Sequence, residues 1–321
     1  MILTKTPLRI SFAGGGSDYF HDNLDIDGRV VVTTINKYIY VLLNKKHDDK
    51  IRVSYSETEN VDSSNQLNHQ LIRETLGYFN NKKGIELVTS ADIPSSGSGL
   101  ASSSALIVGM VNALSPNHNK MNSKKKISEQ ASEIEIDYCK KPIGFQDHYS
   151  TAFGGLNSIE FTSNKKVIIK KIELNKKREN LFKKNLLLFY TGINRKADTI
   201  LKKITNTKVQ IDNHERLASL AINFQHELVH GDLLNCGKIL HENWNIKKKL
   251  NKVVSSFKID EIYDIAIKSG AVGGKLLGAG GGGYFLFYAL KKDHKKIIHK
   301  LKFLKNIPFD FESMGTQKFK I

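Results

Sequence analysis

Between Ser90 and Met110 the chain reads SADIPSSGSGLASSSALIVGM. Gly97 and Gly99 stand ahead of Ser102, Ser103 and Ser104. An apolar run with helical spacing follows at once: Leu106, Met110 and Leu114 form one stripe, with Ile107 and Val111 beside it. A helix start leaves its first N–H groups unpaired and carries about half a positive charge. Glycines before it let the backbone approach a ligand, and three hydroxyls fall at the same place. The pattern predicts an anion site, with phosphate as the usual occupant. A serine-capped helix after a flexible loop would use the same residues. Two familiar labels do not fit. No G-x-x-x-x-G-K-[ST] run exists, since Lys275 follows Gly274 but Leu276 comes next. In G-S-G-L-A-S, Ser102 stands where a dinucleotide fingerprint needs its third glycine.

Other residues suited to chemistry are scattered. Arg9 lies among alternating apolar neighbours on a predicted strand, where an unpaired charge is costly. Asp147 follows a predicted helix in P-I-G-F-Q-D-H. There a carboxylate could take a proton from a hydroxyl, although a loop aspartate is also a common turn former. His148 beside it is a rival base. Glu135 lies a dozen residues earlier, with Glu129 and Glu133 as alternatives, on a helix whose solvated face is the plainer place for them.

The elements that must position these groups read as follows. Strands are expected over 2–13, 30–43 (one or two), 51–55 and 85–89, then near 157–161, 166–172 and 186–190. Helices are expected over 67–79, after Ser102, and over 124–138, where Pro142 and Gly144 stop the last. Further helices are expected over 196–206, 212–230, 232–250 and 260–269. Strand, glycine loop and strand fill 275–290, followed by a helix near 293–304 and a strand near 307–311. This mixed order predicts an α+β protein divided near residue 180, into residues 1–180 and 181–321.

Composition narrows the classes. The 321 residues include 40% hydrophobic ones, enough for a sizeable core. No apolar run approaches the ~20 residues of a membrane span. Lys5 and Arg9 interrupt the apolar start that a signal peptide needs. A cytoplasmic protein without membrane contact is expected. Cys139 and Cys236 form no C-x-x-C pair, so two buried thiols are expected rather than a zinc site or a disulfide framework. The net charge of +17 is carried chiefly by lysine in scattered pairs and triples, beside many Asn and Ile residues that suggest A/T-rich codons. No basic block interleaved with aromatics is present, so nucleic acid is not the expected partner. A basic field would help gather anionic substrates.

The stretch P-S-S-G-S-G-L-A-S-S-S-A at 94–105 resembles the phosphate loop of the GHMP kinases, which include galactokinase, homoserine kinase, mevalonate kinase and phosphomevalonate kinase. T-P-L-R-I-S-F-A-G-G-G-S-D at 6–18 is similar to their N-terminal substrate motif. G-A-G-G-G-G at 278–283 is similar to their C-terminal glycine loop. The resemblance implies an N-terminal domain related to ribosomal protein S5 domain 2 and a ferredoxin-like C-terminal domain, with ATP and substrate between them. It implies that Ser95, Ser96, Gly97, Ser98, Gly99, Leu100, Ala101, Ser102, Ser103 and Ser104 hold the nucleotide. Ser103 and Glu135 would hold Mg2+, Asp147 would act as base, and Arg9 would stand beside it. Gly15, Gly16, Ser17 and Asp18 would meet a sugar. Gly278–Gly283 would pack against the phosphate loop.

Gly15 and Gly16 replace the Glu and His of galactokinases, which leaves room for a longer sugar. I-R-V-S-Y-S-E-T-E at 51–59, F-Q-D-H-Y at 145–149 and T-G-I-N-R-K-A at 191–197 are similar to the heptose kinase group of the family. That likeness implies transfer to the anomeric hydroxyl of a heptose 7-phosphate, for nucleotide-activated heptose and surface polysaccharide. Thr191 and Arg195, or Lys196, would clamp the 7-phosphate. The alternatives are a kinase for another sugar, of fucose or galactose type, and a non-catalytic sugar- or ATP-sensing protein. A monomer or a homodimer is compatible with the sequence.

Overall fold

The computed structural model describes residues 1–19, 26–80, 83–94, 97–115, 121–193, 208–250 and 252–321. The helix expected over 196–206 lies outside them. Alternating apolar residues build two sheets. In the first, β1 (Ile2–Ala13) lies beside β2 (Gly28–Lys45), a single long strand where one or two were expected. The order runs β13 (Gln317–Lys320), β1, β2, β5 (Ile85–Ala91), β3 (Ile51–Ser54), β4 (Thr58–Val61). Both β6 (Leu156–Phe161) and β12 (Phe311–Glu312) also pair with β2, and β7 (Val167–Lys171) pairs with β6. Only the β3–β5 pair is parallel among the described strands. The second sheet is antiparallel, in the order β11 (Lys305–Asn306), β8 (Leu186–Tyr190), β10 (Tyr284–Ala289), β9 (Ala271–Leu276).

The last two strands depart from the expected division at 180/181. Phe311–Glu312 and Gln317–Lys320 pair with β2 and β1, so the second half of the chain supplies strands to the first sheet. The strand expected near 307–311 meets β12 only at Phe311, and segments this short carry little strand signal of their own. Their pairing is set by the partner edges, and Thr6 Oγ1 to Thr316 Oγ1 at 2.8 Å ties the return in place.

The described helices are α1 (Gln70–Tyr78), α2 (Ser102–Leu114), α3 (Met121–Glu133), α4 (Gln146–Phe153), α5 (Lys176–Lys184), α6 (Lys208–Val229), α7 (Leu233–Leu250), α8 (Phe257–Lys268) and α9 (His294–Lys300). α2 is apolar all round and lies across β1 and β2. Thr4 Oγ1 donates to Gly109 O at 3.0 Å, and a Cβ at Gly109 would stand 3.0 Å from Thr6 Oγ1, so the helix rides close on the strand. α6 packs on α7 and reaches β1 and β2, while α7 packs on β9, joining the two sheets. One apolar cluster runs through both, from Leu8, Ile10 and Phe12 to Phe182, Leu188, Phe224 and Tyr284. Phe12 is stacked on Phe224 at 5.3 Å and meets Phe182 edge-on at 5.4 Å. Burying such a ring contributes about 2–3 kcal/mol and anchors the strand that carries Arg9. Cys139 and Cys236 are buried free thiols, and burial pushes each up to about 12. Among the described residues no helix is long and apolar enough to cross a membrane.

Candidate active site

A cavity opens where β1, the turn after it, the loop before α2, the start of α4 and the glycine loop after β9 meet. Side chains on a strand alternate, so Arg9 and Ser11 share the face that looks into it, while Leu8, Ile10 and Phe12 join the core. Arg9 is 3% exposed, and its charge is met from two sides. Its Nε and one terminal nitrogen donate to Asp147 Oδ1 at 2.8 and 2.7 Å, and its other terminal nitrogen donates to Gly99 O at 2.7 Å. One guanidinium therefore ties the carboxylate at the start of α4 to the loop ahead of α2. Charge-assisted bonds of this length are the strong ones.

The start of α2 differs from the expected serine cap. Its N-cap is Ala101, in the left-handed region at φ 66°, with no side-chain cap. Ala101 carries no hydroxyl to cap the helix start, which lies on the cavity wall. Ser103 is exposed there, whereas Ser104 is buried and donates to Glu135 Oε2 at 2.7 Å. Ser98 Oγ meets Ser102 Oγ at 3.2 Å and accepts from Leu100 N. The glycine loop is pressed against this turn. A Cβ at Gly99 would stand 2.3 Å from Leu277 O, and one at Gly278 would stand 2.4 Å from Gly99 Cα. The two backbones touch where no side chain fits.

Among the described residues, three carboxylates line the cavity. Asp147 is the most open of them, its side chain 21% exposed. Asp18 accepts from Gly16 N at 2.9 Å and Gln146 N at 3.3 Å, yet burial holds its carboxyl above the usual range. Glu135 sits in a π-helical turn, Ile134–Tyr138, that continues α3 where a plain helix was expected. His148 is fully buried, and its Nε2 donates to Glu135 Oε2 at 2.8 Å; the imidazole holds that carboxylate rather than standing as a rival base. Both contacts to Glu135 fall on Oε2. A carboxylate and an exposed hydroxyl are the hard oxygen donors that Mg2+ prefers, with water and phosphate oxygens completing its shell. Glu135 and Ser103 fit that requirement.

Two lysines complete the wall. Lys275 is 2% exposed; its Nζ donates to Phe12 O and Asn243 Oδ1, both at 3.1 Å. Burial first, then the nearby Lys247 and Arg9 cations, push its ammonium well below the ordinary lysine value. Lys247 Nζ donates to Gly278 O.

Of the residues singled out in the sequence, Arg9, Gly15, Gly16, Asp18, Gly97, Ser98, Gly99, Ala101, Ser102, Ser103, Ser104, Glu135 and Asp147 all line this one cavity. Three do not. Ser17 is fully buried, donating to Gly14 O and Arg29 O, so it braces the turn rather than meeting a sugar. Leu100 is a core side chain, and its backbone is taken up by Arg9 N, which donates to its carbonyl at 3.1 Å, and by Ser98 Oγ, which accepts from its N–H. Thr191 is buried and its Oγ1 donates to Gly283 O at 2.8 Å, so it secures the glycine loop instead of a phosphate. Ser95, Ser96, Arg195 and Lys196 lie outside the described residues. The sequence reading missed Ser11, Gln146, Lys247 and Lys275 as cavity residues. Ser11 was within reach of it, two residues after Arg9 on a strand.

Comparison with known proteins agrees with the geometry. The GHMP kinases N terminal domain matches residues 68–155, and the GHMP kinases C terminal domain matches residues 224–306. A D-glycero-alpha-D-manno-heptose 7-phosphate kinase of Campylobacter jejuni is 30% identical, over 100% of this chain and 99% of its own. The crystal structure of a D-glycero-D-manno-heptose 1-phosphate kinase from Bacteroides thetaiotaomicron superposes with a TM-score of 0.80 at 26% identity, covering 100% of this chain and 99% of that one. A Methanococcus jannaschii mevalonate kinase, at 21% identity and a TM-score of 0.71 over 97% and 98% of the two chains, shares the fold.

Proposed function

This chain belongs to the GHMP kinase family, and we propose that it transfers the γ-phosphate of ATP to the anomeric hydroxyl of D-glycero-D-manno-heptose 7-phosphate, giving the 1,7-bisphosphate. The observation that carries this reading is the Arg9 bridge between Asp147 Oδ1 and Gly99 O. Phosphoryl transfer needs the phosphate held, its charge met, and the acceptor placed in line. The bridge sets a proton acceptor within one side chain's reach of a loop suited to phosphate.

In this mechanism the N–H groups at the start of α2 and the backbone of Gly97–Gly99 receive the terminal phosphates of ATP. Asp147 takes the proton of the attacking hydroxyl. Arg9 keeps Asp147 aimed and meets the charge that spreads over the transferring group. Asp18, anchored by Gly16 N and Gln146, accepts from a sugar hydroxyl. Glu135 and Ser103 would hold Mg2+, which neutralises phosphate charge. Arg9 and Lys247 leave the cavity receptive to an anionic sugar. The manno-heptose comes from the names of the two full-length relatives, and the room left by Gly15 and Gly16 is compatible with it. A cytoplasmic location, where ATP is at hand, and a role in supplying activated heptose for surface polysaccharide belong to the same reading.

The test is ADP release by purified protein across heptose 7-phosphate, mannose 6-phosphate, galactose and fucose. Heptose 7-phosphate should give the highest kcat/KM; a free hexose turning over best would end the substrate assignment. Asp147→Asn should lose about 10²–10⁴-fold in kcat while still binding ATP.

A further inference from the structure

Among the described residues, two buried polar atoms in the cavity have no partner: Ser11 Oγ and Gln146 Oε1, on residues 4% and 8% exposed. Such atoms are rare, because an unmet buried hydrogen-bonding group is costly. Both residues line the cavity, and both look over the same spot. A Cβ built on Gly15 would stand 3.2 Å from Ser11 Oγ, 3.4 Å from Gln146 Nε2 and 3.9 Å from Gln146 Oε1. Glycine leaves that spot open. Asp18 Oδ2 accepts from the Gln146 backbone N–H at 3.3 Å, and the amide carbonyl oxygen of Gln146 is left as an acceptor for something else. Ser11 can both donate and accept.

A hydroxyl that donates to Gln146 Oε1 and exchanges a bond with Ser11 Oγ satisfies both. Gln146 precedes Asp147 directly, and Ser11 lies one pleat from Arg9, about 7 Å along the strand. The hydroxyl is thus a close neighbour of the one being phosphorylated. We propose that Ser11 and Gln146 form a specificity pocket for the sugar's C2 hydroxyl, next to the reacting C1. The assignment of C2 rests on the proposed transfer to the anomeric position, while the pocket rests on the geometry alone.

The test is a cycle of enzyme and substrate changes. Ser11→Ala removes a hydroxyl that has no partner among the described residues, so its melting temperature should not fall. Its kcat/KM for the parent sugar should fall about ten- to hundredfold. For the 2-deoxy analogue, wild type should lose a comparable factor, and Ser11→Ala should then lose nothing more. The 4-deoxy analogue should leave the Ser11→Ala effect at full size. Gln146→Leu should show the same dependence on the 2-hydroxyl. The proposal is overturned if Ser11→Ala harms parent and 2-deoxy sugars equally, or if the 4-deoxy sugar is the one that abolishes its effect. The cycle is run on deoxy forms of whichever sugar wild type uses best. A hexose result would therefore sink the heptose assignment without deciding this one.

Discussion

Replacing Gly99 by alanine tests the contact on which the site is built. Gly99 has φ +76°, and the added Cβ would stand 2.3 Å from Leu277 O and 3.2 Å from Gly278 N. The left-handed backbone costs a non-glycine residue about 1–2 kcal/mol. Forcing a methyl into packed backbone typically costs about 1–3 kcal/mol more, for a total of about 2–5 kcal/mol. Gly192→Ala separates the two contributions, because Gly192 has φ +70° with nothing within 4 Å of its would-be Cβ. It should lose the backbone part alone. With about 2.1 cal/mol/K of unfolding entropy per residue, 321 residues unfolding together shift by about 1.5 °C per kcal/mol. Gly99→Ala should therefore lower Tm by about 3–7 °C, and Gly192→Ala by about 1.5–3 °C. Gly99 O also holds Arg9 at 2.7 Å, so pushing the loop aside should drag the guanidinium and cut kcat. A displacement of about 1 Å at such a site can cost about a hundredfold. Scanning calorimetry with ADP-release kinetics decides it. Equal melting points for the two variants, with turnover of Gly99→Ala intact, would refute the packing argument.

Three further outcomes are expected. Glu135→Gln should raise the Mg2+ concentration for half-maximal turnover at least tenfold; superimposable Mg2+ titrations would remove Glu135 from the metal. Thr191→Val should destabilise by about 1 kcal/mol and raise KM for ATP, leaving KM for the sugar unchanged; a selective rise in sugar KM would return Thr191 to the substrate. Lys275 titrates lower in the folded protein than in the unfolded chain, so its stabilising contribution is present above the unfolded value and is lost as pH falls through the folded one. Urea unfolding of wild type relative to Lys275→Met should thus worsen as pH falls from 10.5, by up to about 1.4 kcal/mol per pH unit, and level off below the folded value; a constant difference would show that the lysine is not desolvated as described.

Much of the site was legible in the sequence because its parts follow local rules. Alternation along β1 gave Arg9 its strand, and glycines and serines ahead of an apolar helix pointed to an anion site, while Asp18, Glu135 and Asp147 drew their expected roles from resemblance to the GHMP kinases. What local patterns could not carry was the consequence of contacts distant in sequence. Ala101 takes a left-handed N-cap position in a turn pressed against the glycine loop, so the serine cap suggested by residue type was absent. The π-turn at Ile134–Tyr138 inserts a residue into a helix whose apolar spacing looks regular. Lys275 is buried by Phe12, 263 positions away, and Asn243, and nothing near it in sequence signals this. Thr191 faces Gly283 rather than the substrate for the same reason: its partner lies 92 positions on. Fold class was readable from the mixed order of elements, whereas membership of β12 and β13 in the first sheet was not.

That return has a temporal side. The strand bearing Arg9 leaves the ribosome long before one of its neighbours, β13, beside which Met1 and Ile321 exchange both main-chain bonds at 3.1 Å. The first sheet must wait, with one margin open, until residues 317–320 have been made. A nascent chain stalled before residue 311 would expose the bare flank of β1 beside an unfinished pocket, a natural handhold for chaperones and for wrong pairings alike.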